Sequence, residues 1–112
     1  MSDFRVLFVD DEADFLETIL KRMQKRGVAA SGVDSGEAAV TWLQQNPADM
    51  VVLDVRMKGM DGIQTLRAIK SGYPLIEVIM LTGHASLEIA REGMKLGAFD
   101  YLMKPIDLDE LL

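Results

Sequence analysis

The feature that most constrains this chain is an alternation. Short, continuously apolar runs recur between stretches whose apolar residues fall at helical spacing. Phe4–Val9 (FRVLFV), Met50–Leu53 (MVVL) and Ile76–Leu81 (IEVIML) suit strands covered on both faces. Phe99–Leu102 (FDYL) is a weaker run of the same kind. Val28–Val33 (VAASGV) is interrupted by Ser31 and Gly32, as an edge strand tolerates. Between these runs, Phe15, Leu16, Ile19, Leu20 and Met23 mark one face of a helix over Ala13–Lys25, stopped at Gly27. Ala38, Ala39, Trp42 and Leu43 mark a second helix, capped by Ser35 and ended before Pro47. Asp61-x-x-Gln64 is the pattern of a capping box and opens a third, Gly62–Lys70. Ser86 caps a fourth that runs to Lys95, with Gly97 as its stop. Asp107-x-x-Glu110 opens a fifth, whose apolar face (Leu108, Leu111, Leu112) has only begun where the sequence ends. A full helix takes about 10–14 residues, so a truncated fifth helix and a longer parent protein are expected.

Five strands alternating with helices predict an α/β domain: one five-stranded parallel sheet with helices on both faces. The 112 residues suit a single domain over 1–112. Twelve basic against eighteen acidic residues leave a net charge of −6, a poor match for a phosphate backbone, so direct nucleic-acid binding is not expected. The absence of cysteine excludes disulfides, thiolate chemistry and cysteine zinc sites, and the lone His84 excludes multi-histidine metal centres. No apolar run approaches the ~18 residues of a membrane span. A soluble cytoplasmic domain is the expectation.

In parallel α/β sheets, ligands bind outside the carboxyl ends of the strands. The first strand runs into Asp10-Asp11-Glu12 and the third into Asp54; the fourth ends at Thr82-Gly83 and the fifth at Lys104-Pro105. All four polar sets therefore fall on one edge of one sheet. Like charges ~4 Å apart repel by ~4 kcal/mol at an effective dielectric near 20. Asp10, Asp11 and Asp54 thus call for a cation, and oxygen ligands without His or Cys point to Mg²⁺ or Mn²⁺. Lys104 adds positive charge, and such a site stabilises a transferring phosphoryl group. With no cysteine and His84 in a loop, the candidate nucleophiles are a carboxylate or Thr82. Asp54, at the end of a buried strand, is the better placed, since acyl phosphates of Asp are established intermediates. The Thr82 hydroxyl can donate to a phosphoryl oxygen.

Four segments, FVDDE (8–12), LDVRMKGMDG (53–62), LTGHAS (81–86) and LGAFDYLMKP (96–105), stand in order and in register. With them the whole chain resembles the receiver domain of two-component response regulators, a flavodoxin-like doubly wound fold. The resemblance implies that Asp54 accepts a phosphoryl group from a sensor histidine kinase or phosphotransfer protein. It implies that Asp11 ligates Mg²⁺ directly, that Asp10 holds a metal-bound water, and that the backbone carbonyl of Arg56 is a further ligand. Lys104 would pair with the phosphate, and Pro105 would follow a cis peptide bond. Thr82 and Tyr101 would form a switch pair, the ring turning inward behind the hydroxyl, and Gly83 would leave room for the phosphoryl group. Arg56 and His84, each two residues beyond a reactive position, would obstruct the hydrolytic water. The implied output is a conformational shift of the fourth helix and last strand, a face carrying Glu88, Arg91, Lys95 and Asp100. That face would act on an output domain or effector, transcription regulation being one such output, or pair with a second phosphorylated copy.

Three positions depart from the common pattern. Lys58 stands where proline often follows Arg56-Met57, and Ile106 where phenylalanine often follows Lys-Pro. Gly93 lies inside the fourth helix, where it should cost ~1 kcal/mol and loosen the helix. Two other classes share parts of this pattern. A haloacid-dehalogenase-type hydrolase needs an acid two residues after its nucleophile, where this chain has Arg56. A flavin-binding module needs a Ser/Thr/Gly-rich loop after the first strand, where this chain has Asp10-Asp11-Glu12. A tyrosine at position 101 and the methionines and Trp42 also suit plain core roles.

Overall fold

The computed structural model describes residues 4–56, 61–83 and 87–104. Five strands, β1 (Arg5–Val9), β2 (Ala29–Val33), β3 (Met50–Asp54), β4 (Glu77–Thr82) and β5 (Asp100–Met103), alternate with four helices. The helices are α1 (Ala13–Lys25), α2 (Gly36–Gln45), α3 (Gly62–Gly72) and α4 (Leu87–Lys95). All strand pairs are parallel, in the order β2-β1-β3-β4-β5. The broken run at 28–33 is the edge strand, as its composition requires. The expected fifth helix from Asp107, together with Lys58, His84, Ser86, Pro105 and Ile106, lies outside the described residues.

Local signals place the elements as read. The Ser35 hydroxyl accepts from the Ala38 amide at 3.0 Å. The capping box at α3 is complete: the Gln64 amide donates to Asp61 Oδ1 at 2.8 Å and the Asp61 amide to Gln64 Oε1 at 3.3 Å. The expected stops Gly27 and Gly97 carry positive φ of 74° and 108°. Boundaries differ by a residue or two: α3 continues to Gly72, and β5 begins at Asp100.

Strand alternation sorts the core into two layers. Leu7, Val9, Val51, Leu53, Val78 and Met80 meet Ala39, Leu43, Leu66 and Ile69 from α2 and α3 on one face. Val6, Phe8, Val52, Ile79 and Leu81 meet Ile19 and Met23 from α1 on the other. Asp10, Asp54 and Lys104 share the parity of Phe8, Val52 and Leu102, on the α1 side. Thr82 and Tyr101 share the parity of Met80, on the side of α3 and α4.

Gly93 also has a packing role: a Cβ there would lie 2.8 Å from Met80 Cε, closer still to its sulfur, and 3.4 Å from Leu66 Cδ2. Met80 and Leu66 are fully buried, so the thioether fills the space that alanine would occupy. Among the described side chains of α4, only Ala90 and Gly93 are buried. These two small residues let the helix approach the sheet closely.

Candidate functional site

The order of the sheet reverses between β1 and β3, because the chain moves outward to β2 and then back past β1. The carboxyl ends of strands splay at such a switch point, and that is where α/β folds bind ligands. Val9 pairs with Leu53, so Asp10 and Asp54 emerge side by side there. Thr82 pairs with Met103, and the Lys104 amide donates to the Thr82 carbonyl at 2.9 Å, which brings Lys104 to the same rim. The four strand ends converge as expected.

Asp10 and Asp54 are 1% and 5% exposed. Each is anchored from one oxygen. The Glu12 amide donates to Asp10 Oδ1 at 2.9 Å, and the Arg56 amide donates to Asp54 Oδ1 at 3.1 Å. Their second oxygens face Lys104, whose Nζ lies 3.2 Å from Asp10 Oδ2 and 3.6 Å from Asp54 Oδ2. A third carboxylate joins them: Glu12 Oε1 is also 3.2 Å from Nζ. Val55, next after Asp54, packs its backbone on the start of α3, since a Cβ on Gly62 would lie 2.6 Å from Val55 Cα. Only glycine allows that backbone contact.

Burial pushes the Asp54 carboxyl up from 3.8 to about 6. The Arg56 amide opposes that rise; the charges of Asp10 and Asp11 add to it, and Lys104 opposes it. Burial would lower the Lys104 ammonium, but Asp54 and Asp10, with hydrogen bonds to Asp10 and Glu12, raise it above its ordinary value. The pocket therefore sets three carboxylates, Asp10, Glu12 and Asp54, against one ammonium and accepts further positive charge.

One oxygen each from Asp10, Glu12 and Asp54 lie within 4.8 Å of one another. All-oxygen surroundings of this kind fit Mg²⁺, which takes a few carboxylates and keeps waters; Asp10 and Asp54 are the buried members, while the exposed Glu12 is turned to Lys104. Asp11 is exposed beside this group, and its charge reaches Asp54. Arg56 is exposed, and the site uses its backbone amide. Thr82 is buried, its hydroxyl donating to the Gly83 carbonyl at 3.0 Å. An added Cβ on Gly83 would meet nothing within 4 Å, so there is open space beside it. Tyr101 is half-buried against the α3-side core. His84 lies outside the described residues.

Two contributors escaped the sequence reading. Glu12 counted only as part of an acidic tract, and Phe15 only as a core residue of α1. The Phe15 ring lies 5.0 Å from Lys104 Nζ. No pattern signals either contact, because Lys104 is some ninety positions away. A larger apolar hollow, about 560 Å³ between Leu43, Pro47, Tyr73 and Ile76, lies at the opposite end of the sheet, away from the acidic cluster.

Comparison with known proteins agrees with this geometry. Residues 6–112 match the family model of the response regulator receiver domain. The chain is 39% identical over 106 residues to the transcriptional regulatory protein ZraR of Escherichia coli, covering 95% of this chain and 24% of that protein. It is 35% identical over 102 residues to the DNA-binding transcriptional regulator NtrC of Klebsiella pneumoniae, covering 91% of this chain and 22% of that protein. The chain thus spans about a quarter of the length of these curated relatives. Among solved structures, a response regulator receiver protein from Pseudomonas putida superposes with a TM-score of 0.91 at 31% identity, covering 99% of this chain and 93% of that one. FixJ-N superposes with a TM-score of 0.89 at 31% identity, covering 99% and 89%. Fold, strand-end chemistry and similarity over nearly the whole length converge, and the chain belongs to the response regulator receiver domains, the signalling domains of two-component systems.

Proposed function

We propose that the domain is a phosphorylation-dependent switch in which Asp54 accepts a phosphoryl group from a phosphohistidine of a sensor histidine kinase or phosphotransfer protein. The observation that carries this reading is the buried Asp54 carboxylate, with one oxygen fixed by the Arg56 amide and the other beside Lys104. An Asp54 oxygen forms the new bond to phosphorus as the P–N bond to the imidazole breaks. The imidazole nitrogen leaves with that electron pair, and the carboxylate becomes an acyl phosphate.

Asp10, Asp11, Asp54 and the Arg56 carbonyl would hold Mg²⁺ (or Mn²⁺), which supplies charge neutralisation for the phosphoryl oxygens when bound. Lys104 pairs with the phosphoryl group from the side of β5. The Thr82 hydroxyl turns from the Gly83 carbonyl to a phosphoryl oxygen, into the open space at Gly83. The Arg56 side chain would slow attack by water on the acyl phosphate; His84, expected to do the same, lies outside the described residues. Hydrolysis of its own acyl phosphate would follow from the same pocket.

Tyr101 and Thr82 share the side of the sheet that α4 covers, which supports a relay from the pocket to that helix. The phosphoryl charge favours one of two conformers, a population shift. The outer face of α4 and β5, with Glu88, Arg91, Lys95 and Asp100, then acts on an output domain or effector, or pairs with a second copy. The relatives' names are those of transcriptional regulators several times longer than this chain, which favours an attached output domain and a role in transcription. The test is labelling by acetyl phosphate or a phosphorylated kinase. Incorporation should require Mg²⁺ and vanish in Asp54→Asn; stoichiometric label retained in that variant overturns the reading.

A further inference from the structure

We propose that Glu12 and Phe15, acting from opposite sides, position Lys104 and so set the rate at which Asp54 is phosphorylated; this rests on Asp54 being the acceptor. Glu12 is the N-cap of α1, a position where the shorter Ser, Thr, Asp or Asn would bond the free amides of the first turn. Its side chain makes no such bond. It reaches instead across 92 positions to Lys104, with Oε1 3.2 Å from Nζ, although it is 66% exposed. Phe15 stands one turn into the same helix, half-buried against the α1-side core, with its ring 5.0 Å from the ammonium. Leucine would keep an apolar side chain there but not the aromatic face, which attracts a cation.

These contacts act in opposite directions. Lys104 is at hydrogen-bonding distance of Asp10 and Glu12 and 0.4 Å farther from Asp54. Glu12 therefore competes with Asp54, and with any phosphoryl oxygen on it, for the ammonium. Phe15 does the reverse. Beside Lys104 is a hollow of about 430 Å³ bounded by Phe15, Thr18, Ile19 and Arg22, into which the side chain would swing without the ring. The ring keeps the ammonium over the acidic pocket.

The test uses the full chain with acetyl phosphate at saturating Mg²⁺. The Asp54 oxygen bonds to phosphorus, the P–O bond to acetate breaks, and acetate leaves with the electron pair. Phe15→Leu should slow acyl-phosphate formation by about two- to fivefold, and Phe15→Tyr should restore it. Glu12→Gln should speed it by a similar factor. Circular dichroism and thermal unfolding verify that each variant is folded. A second readout is independent of phosphorylation: in metal-free protein, the Lys104 ε-methylene protons should be shifted upfield by the ring in the parent and in Phe15→Tyr, and not in Phe15→Leu. Labelling of the parent with equal rates in Phe15→Leu, or slowing in Glu12→Gln, overturns this inference alone. An unshifted ε-methylene in the parent overturns it as well. A parent that takes no label at Asp54 overturns the functional reading, and this inference with it.

Discussion

Lys104 Nζ lies 3.6 Å from Asp54 Oδ2 although a whole strand, β4, separates the strands that end in these residues. The span is bridged because a lysine stem is long and because both residues leave the sheet on its α1 side. The same ammonium also holds Asp10 and Glu12. One cation thus serves three carboxylates, and each of the following expectations comes from that imbalance or from the packing behind it.

The buried Asp54 charge should weaken the metal-free fold. Its pKa of about 6 in the folded protein stands above the ordinary 3.8, so the folded state holds the proton more tightly than the unfolded chain. Stability should therefore fall as pH rises from about 4 to about 6, with the cost complete above pH 6; a rise of this size is worth ~3 kcal/mol. Asp54→Asn removes the charge. In EDTA at pH 8 it should be more stable than the parent by ~1–3 kcal/mol, and the gap should close near pH 4. Thermal unfolding across this range measures it, and an Asn variant less stable than the parent at pH 8 refutes it.

Removing the shared cation should be costly. Lys104→Met leaves Asp10 buried without its partner, a loss discounted for the partial exposure of the ammonium and of Glu12, and expected at ~1–3 kcal/mol. Mg²⁺ should recover more stability in this variant than in the parent, because it neutralises the same oxygens. Urea unfolding with and without Mg²⁺ distinguishes this from a surface lysine, whose loss would change neither curve.

Gly93→Ala should destabilise the fold in spite of alanine's helix propensity. The gain of ~1 kcal/mol from propensity is outweighed by overpacking against Met80, expected at ~1–3 kcal/mol. In a Met80→Ala background the slot is empty, and the same change should become stabilising. A double-mutant cycle reads the change of sign; identical effects in both backgrounds would show that Met80 does not fill the slot.

Much of this was legible before any coordinates. Asp10, Asp54, Thr82 and Lys104 each follow an apolar run, and parallel topology brings the carboxyl ends of such runs to one edge. The weak composition of 28–33 placed its strand at the margin of the sheet. What was not legible depends on contacts between distant segments. Glu12 and Phe15 read as part of an acidic tract and as a core residue because nothing local shows that Lys104 lies beside them. The contact at Gly93 was not legible because propensity describes an isolated helix, whereas its neighbour here is a thioether from β4. The switch-point crevice between β1 and β3 likewise exists only once the strand order is known.

The most direct measurement of the central claim is chemical mapping of the acyl phosphate. Protein phosphorylated by acetyl phosphate in Mg²⁺ is reduced with borohydride, which converts a phosphorylated aspartyl residue to homoserine, and its peptides are sequenced by mass spectrometry. The account predicts homoserine at position 54 alone, absent when Mg²⁺ is withheld. Modification at Asp10, Asp11 or Glu12 in place of Asp54 would contradict it.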